Sequence, residues 1–534
     1  MKKRKIWGWG YESEGPDPRA LAFAEASLSG LFGGSPGARR TPPSSDAIEL
    51  PPPRIELPAS LAPIADTSPD QRLVHALGRS YRDLARAVRG VFPNPPDVVA
   101  FPASEEDVAR LMDYASSTGV ALVPFGGGTS VCGGVEPDVG PAYRGTISVD
   151  MGRMSGVVEL DRTSLAANVR AGTLGPDLES ALRPHGLTLR HFPQSFEMST
   201  VGGWIATRAG GHFATLYTHI DDLVESVRVV TPAGQLATRR LPGSGAGPAP
   251  DRLFIGSEGA LGIITSAWVR LFARPLHRAT ATVRYSSFDR GIEALRRIVQ
   301  SGLHPSNCRL LDGAEALMSG AGAGDASLLL LAFESAEHPQ DVLLRRAVGV
   351  ARDAGGVVDE ADLKSSFDPS GGRDATADTY KASFFRAPYL RDELVLRNVF
   401  VETYETAVVW SGFEALDAAV SKAVESLSLG PHLLARRITH AYRDGCAPYF
   451  TLITKAREGD EDAMWVDIKK ALTDAIESAG GTCTHHHAVG RDVVPWYQAE
   501  TPELFRAALA AAKSALDPHG IMNPGTLLPA RGTG

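Results

Sequence analysis

Three adjacent imidazoles, His485, His486 and His487, stand between Gly480-Gly481-Thr482-Cys483-Thr484 and Ala488-Val489-Gly490. Histidines at this density suit two chemistries: holding a metal ion, or binding a phosphate and moving protons near neutral pH. The spacing serves a metal poorly. If the run is a strand, alternate side chains face opposite ways, so only His485 and His487 could share an ion. Cys483 is a single thiol and Asp492 lies past a glycine turn, so nothing nearby in the chain completes a zinc set. The expectation is therefore an active-site cluster without a metal, with a satisfied structural run as the competing reading.

A second chemistry is carried by glycine. Pro124-Phe125-Gly126-Gly127-Gly128-Thr129-Ser130-Val131 follows the apolar run Val120-Ala121-Leu122-Val123, which reads as a buried strand. Without Cβ atoms, the backbone N–H groups of such a turn can approach an anion such as a pyrophosphate. Thr129 and Ser130 add hydroxyls. Taken alone, the triplet reads equally well as a tight surface turn. Two further glycine-rich elements break the tie: Ser199-Thr200-Val201-Gly202-Gly203-Trp204-Ile205-Ala206-Thr207, and Gly256-Ser257-Glu258-Gly259-Ala260-Leu261-Gly262-Ile263-Ile264-Thr265. Three such turns, each read as lying beside a strand, describe a large elongated ligand. No G-x-G-x-x-G opens a helix and no G-x-x-x-x-G-K-[ST] occurs, which argues against the usual dinucleotide and triphosphate folds.

The elements that must position these groups form an α/β pattern. Val98-Val99-Ala100-Phe101 reads as a strand, and Ser104 as the N-cap of a helix running to about Thr118. Strands are expected at 147–150 and 165–172, and helices at 70–89, 177–182 and 503–516. The first 70 or so residues, with Trp7-Gly8-Trp9-Gly10-Tyr11, read as an arm laid over the body. The chain has 534 residues and a formal charge of −8, so two or more domains are expected and general nucleic-acid binding is not. Its basic start is followed by no apolar run, and no stretch approaches the roughly 18 residues needed to span a bilayer. The four cysteines are scattered in a way that suits a reducing cytoplasm.

Taken together these segments resemble the vanillyl-alcohol-oxidase, PCMH-type FAD-binding proteins, and within them the alkyldihydroxyacetonephosphate synthase family. The likeness extends over nearly the whole chain, through Arg309-Leu310-Leu311-Asp312, Arg437-Ile438-Thr439 and the histidine triplet. It implies an α+β fold: an N-terminal arm and helical segment over 1–92, an FAD domain over 93–275, a cap over 276–480, and a C-terminal segment over 481–534 that packs back on the FAD domain. It implies that the cofactor is held by Pro124, Gly126, Gly127, Gly128, Thr129, Ser130, Ser199, Thr200, Gly202, Gly203, Thr207, Glu258, Gly262 and Ile264. Relatives that tether the flavin place a histidine just after the first glycines; Thr129 stands there, so FAD is expected to be non-covalent. Tyr449, His485, His486, His487 and His191 correspond to catalytic positions, and Arg391 to the arginine that binds the departing carboxylate.

The activity so implied replaces the acyl group of acyl-dihydroxyacetone phosphate by a long-chain alkoxy group, through an adduct at flavin N5 and without net redox change. The alternative is an FAD-dependent oxidoreductase of a 2-hydroxy acid or related alcohol. The expected partners are the ester, a fatty alcohol and a second copy of the chain, with no nucleic acid. The expected location is the cytoplasm, with peripheral membrane contact. Departures from the family pattern, Phe192-Pro193-Gln194, Arg443-Asp444-Gly445 and Ala488, surround the substrate side and leave the flavin assignment intact.

Overall fold

The computed structural model describes residues 3–367 and 375–529. A parallel sheet of Val98–Ala100, Thr146–Asp150 and Ala121–Phe125 forms the first layer, with Ala65–Asp66 antiparallel at its edge. The helix Glu105–Thr118 starts where the Ser104 hydroxyl accepts the Asp107 N–H at 3.1 Å, and ends at left-handed Gly119. Its Val108, Leu111, Met112 and Ala115 recur at helical spacing and pack on Leu122, Ile147 and Val149. Near the chain's end, the Leu122 N–H donates to Ile521 and the Leu122 carbonyl accepts from Asn523, so this segment closes on the first sheet. A second, antiparallel sheet follows the order Val157–Asp161, Ala166–Arg170, Ile263–Arg270, Val224–Thr231, Gly234–Ala237.

The largest sheet is antiparallel throughout. It runs Lys364–Phe367, His277–Tyr285, Ser327–Ser335, Asn307–Leu311, His432–Ala441, Gly445–Lys455, Val399–Glu405, and Val408–Val409 pairs with Gly445–Lys455. Its strands alternate with period two. Phe400, Ile438, Phe450 and Leu452 enter a core shared with the helices Phe288–Gln300, Asp341–Asp353, Phe413–Ser426 and Glu461–Ser478. Val401, Thr403, Arg437, Thr439, Tyr449 and Thr451 point the other way, into a cavity. A one-residue slip would exchange these two sets, so the apolar core fixes which side chains reach the cavity. The whole is the expected α+β architecture. Among the described residues no helix is long and apolar enough to cross a membrane.

Three local expectations change. The helix read over 70–89 is two, Pro69–Val74 and Tyr81–Val88. A side chain at the intervening Gly78 would collide with the Ser130 carbonyl, and Ser80 opens the second helix with a capping box to Asp83. The second glycine element does not flank a strand: Gly202 and Gly203 lie in the first turn of the helix Val201–Thr207, capped by Thr200. The arm contains a helix, Pro18–Phe32, whose signal was legible: Asp17 as N-cap with Pro18 in the first turn.

Candidate active site

A cavity of about 1150 Å³ lies between the glycine-rich turns and the cap sheet. Pro124, Gly126, Gly127, Gly128, Thr129 and Ser130 line it from the first turn. Ser199, Thr200, Gly202, Gly203 and Thr207 line it from the second, and Glu258, Gly262 and Ile264 from the third. The turns meet backbone to backbone. A Cβ on Gly127 would strike the Met198 carbonyl, and one on Gly126 the Thr200 hydroxyl, so these two glycines are required first by the neighbouring turn. Among the described residues, the N–H groups from Gly126 to Ser130 find no loop or turn carbonyl, leaving a row of donors for an anion. Arg4 donates to the Gly127 carbonyl at 3.2 Å and holds the turn from behind.

Glu258 ties the third turn to the histidine loop: its carboxylate accepts the Val489 N–H at 2.8 Å and the Gly490 N–H at 2.7 Å. Burial raises its pKa to about 7 against those two hydrogen bonds.

On the opposite wall stand Arg391, Tyr449, His486 and His487; His485 lies behind them and His191 is buried beside Trp204, off the cavity lining. The triplet is not a strand but an irregular loop, so its side chains do not alternate. All three turn their Nδ1 atoms to one carboxylate, Glu405, at 4.0, 3.1 and 3.8 Å in chain order. Glu405 also accepts the backbone N–H groups of His485 at 2.8 Å and of His486 and His487 at 3.1 Å, and the Thr484 hydroxyl at 2.5 Å. Burial opposes its charge, but the facing imidazoles of His486 and His487 hold its pKa well below the ordinary glutamate value. Burial in turn pushes His487 down to about 3 despite Glu405.

Tyr449 lies nearly parallel to His486, with ring centres 6.1 Å apart, and the Arg437 guanidinium sits 3.8 Å from its ring centre. Burial raises the Tyr449 phenol while Arg437 pulls it back.

Several site groups escaped the sequence reading. Glu405 sits 80 positions before His485 with no local signal, so the absence of a carboxylate near the triplet held only along the chain. His440 and Tyr442 follow Thr439 on a strand end, and Arg309 and Arg437 carried no assigned role. Ring nitrogens of His440, His485 and His486 lie within 4.8 Å of one another, the spread of a metal cluster. Their nitrogens are already engaged: His485 bonds His486 within the cluster and Tyr442 outside it, and His440 Nε2 donates to the Gly211 carbonyl at 3.1 Å. Buried donors without a hydrogen bond remain at Arg391 Nε and Nη2, Arg309 Nε and Arg437 Nε, Arg391 Nη2 lying 3.5 Å from Asp392 as an ion pair, and the amides of the first turn are likewise free of loop and turn carbonyls. That set fits a phosphate-bearing cofactor together with an anionic substrate.

Residues 96–239 match the model of the FAD binding domain, and residues 274–527 that of the C-terminal domain of FAD linked oxidases. The chain is 31% identical over 492 residues to the alkyldihydroxyacetonephosphate synthase of Trypanosoma brucei brucei, covering 86% of this chain and 77% of that one. It is 33% identical over 484 residues to the same-named protein of Dictyostelium discoideum, with the same coverage of 86% and 77%. A solved alkyldihydroxyacetonephosphate synthase superposes with a TM-score of 0.81 at 26% identity, covering 98% of each chain.

Proposed function

The chain belongs to the alkyldihydroxyacetonephosphate synthase family and takes FAD as its cofactor, and on that premise we propose that it exchanges the acyl group of acyl-dihydroxyacetone phosphate for the alkoxy group of a long-chain alcohol. The observation that carries this reading is the continuity of one cavity, which joins the glycine turns, the cluster of cationic and protonatable groups, and an apolar end. At that end Ala20, Ala24, Leu28 and Leu31 of the arm helix face Met318, Leu390, Leu394, Val401, Leu433 and Ile453 of the cap. An alkyl or acyl chain buried there gains about 0.8 kcal/mol per methylene. Phe23, half exposed on the same arm helix, supports a peripheral membrane contact through which both lipids arrive.

The three turns would hold FAD, with its pyrophosphate on the amides of Gly126 to Ser130. Thr129 stands where a tethering histidine would be, and the Cys132 thiol, raised by burial, donates to the His487 carbonyl at 3.1 Å, which supports a cofactor held without a covalent bond. The bound flavin supplies the electron sink that lets one carbon–oxygen bond break and another form without net redox change. Arg391 turns Nε and Nη2, neither of which makes a hydrogen bond, toward the cavity, with Asp392 3.5 Å from Nη2 as its ion-pair partner, and this is the fork a departing carboxylate needs. Tyr449 and His486 take up and return the protons of the reacting carbon and the alcohol.

Anaerobic addition of acyl-dihydroxyacetone phosphate to the purified holoenzyme, with and without hexadecanol, tests the reading. Fatty acid release and an ether product on adding alcohol are expected. No fatty acid and an unchanged flavin spectrum overturn it, and bleaching by a 2-hydroxy acid instead would mark an oxidoreductase.

A further inference from the structure

The proposed exchange leaves a proton to dispose of. The ester C–O bond breaks with its electron pair on the departing carboxylate, the alcohol oxygen makes the new C–O bond, and the fatty acid leaves ionised. Each turnover therefore sets free the alcohol O–H proton in a cavity walled by side chains.

We propose that His485, Tyr442 and His219 form a relay that carries this proton from His486, on the cavity wall, to the protein surface. The three do not line the cavity, and they continue outward from the one that does. His486 Nδ1 lies 3.0 Å from His485 Nδ1. His485 Nε2 lies 2.8 Å from the Tyr442 hydroxyl, and that hydroxyl 2.6 Å from His219 Nε2. Each distance is a hydrogen bond and no link is missing. Tyr442 and His219 are only partly buried, and their neighbours Arg443 and Thr218 are exposed, so the far end reaches solvent. The histidines of the relay come from different parts of the chain, yet their rings pack together: His219 and His485 have centres 4.7 Å apart at 85°. Burial lowers the pKa of His485 and of His219, so both rest neutral, each with one ring nitrogen that can accept a hydrogen bond, and a proton passed to either is quickly handed on.

The transfer balances with one proton in and one out. His486 receives a proton on Nε2 and yields its Nδ1 proton to His485 Nδ1. His485 yields its Nε2 proton to the Tyr442 oxygen, Tyr442 its hydroxyl proton to His219 Nε2, and His219, whose other ring nitrogen donates to the Arg208 backbone carbonyl at rest, releases that second proton to water when this bond opens. Glu405, 3.1 Å from His486 Nδ1, stabilises the imidazolium formed at the first step. Ring flips and rotation of the hydroxyl restore the starting tautomers.

The direction of transport rests on the acyl-exchange reading, whereas the hydrogen-bonded chain does not, so the test has two arms. In the kinetic arm, Tyr442→Phe and His219→Gln holoenzymes are expected to lose at least about tenfold in kcat with unchanged KM for both substrates. Their solvent deuterium isotope effect should rise, and added imidazole should restore His219→Gln. A kcat within twofold of the parent enzyme and an unchanged isotope effect would overturn the relay. The second arm uses 15N-histidine NMR of the holoenzyme without substrate. Tyr442→Phe is expected to move the ring resonances of both His485 and His219 while His191 stays in place; movement of neither, or of one alone, overturns the relay. If the parent enzyme fails to consume the ester, the acyl-exchange reading has failed and the NMR arm alone decides.

Discussion

Glu405→Gln is the most direct probe of how the histidine loop is held. The native carboxylate receives three backbone N–H groups and the Thr484 hydroxyl while facing His486 Nδ1 at 3.1 Å. Glutamine keeps one acceptor oxygen and turns an NH₂ group toward donors. With the amide oxygen at the Oε1 position, the His485 and His486 N–H groups keep only their longer contacts, at 3.1 and 3.3 Å, and meet an NH₂ group where their nearer acceptor stood, at about 1–3 kcal/mol each, for about 2–6 kcal/mol in total. Set against the 5–15 kcal/mol typical of a folded domain, that loss is large. It should appear as a lower urea midpoint, followed by flavin absorbance and tryptophan fluorescence in parallel so that any intermediate is seen. The loop would relax, His486 would lose its orienting partner, and ester exchange should fall at least about a hundredfold. A Glu405→Gln protein within about 0.5 kcal/mol of the parent and within twofold of its rate would refute the claim that this carboxylate organises the triplet.

Gly127→Ala and Gly203→Ala should separate folding from cofactor binding. The first meets the Met198 backbone and should yield little folded protein; the second meets only the Thr200 hydroxyl at 3.2 Å and should fold but bind FAD weakly, read as flavin per protein after dialysis. His191 is pushed to about 3 by burial and, secondarily, by His219, and both its nitrogens are unpaired. Its folded value lies below the roughly 6.5 of the unfolded chain, so the unfolded state takes the proton first. Stability should be full above about pH 6.5 and fall by about 1.4 kcal/mol per pH unit below it, down to about pH 3. Urea midpoints at graded pH measure this slope, and an unchanged slope in His191→Phe would contradict the assignment. Arg391→Lys keeps the charge but loses the fork, so kcat/KM for the ester should drop about tenfold to a hundredfold, the worth of one charge-assisted hydrogen bond; an unchanged value would remove Arg391 from the site. Ala24→Phe should shorten the longest alcohol accepted, measured with a chain-length series, because Ala24 lines the apolar end of the cavity.

Local chemistry made much of this protein legible from its residues alone. The strand before Gly126, the Ser104 cap and the period of Val108, Leu111, Met112 and Ala115 are written in nearest-neighbour terms, and the elements form where those terms place them. The glycine turns were legible as a set because three such turns describe one long ligand, and all three border the same cavity. The histidine triplet was visible as a cluster for the same reason: its members are adjacent. The break between Val74 and Tyr81 was harder to see, since the partner that demands Gly78 is the Ser130 carbonyl, some fifty residues away.

What the tertiary structure alone decided is which groups meet. Glu405, the strand end that carries His440 and Tyr442, and His219 come from three separate parts of the chain, and no local propensity marks any of them as a partner of His485 or His486. Their meeting depends on the register of the cap sheet, in which Glu405 lies opposite Tyr449 and Tyr449 opposite Arg437. That register is set by burial of Phe400, Phe450 and Leu452 on the far face of the sheet. The sequence by itself therefore determined the elements, the cofactor turns and the kinds of chemistry available, because these depend on residues close in the chain. The partners of the histidines and the route for a proton were decided only by the fold, because hydrogen bonds between buried groups depend on distance in space.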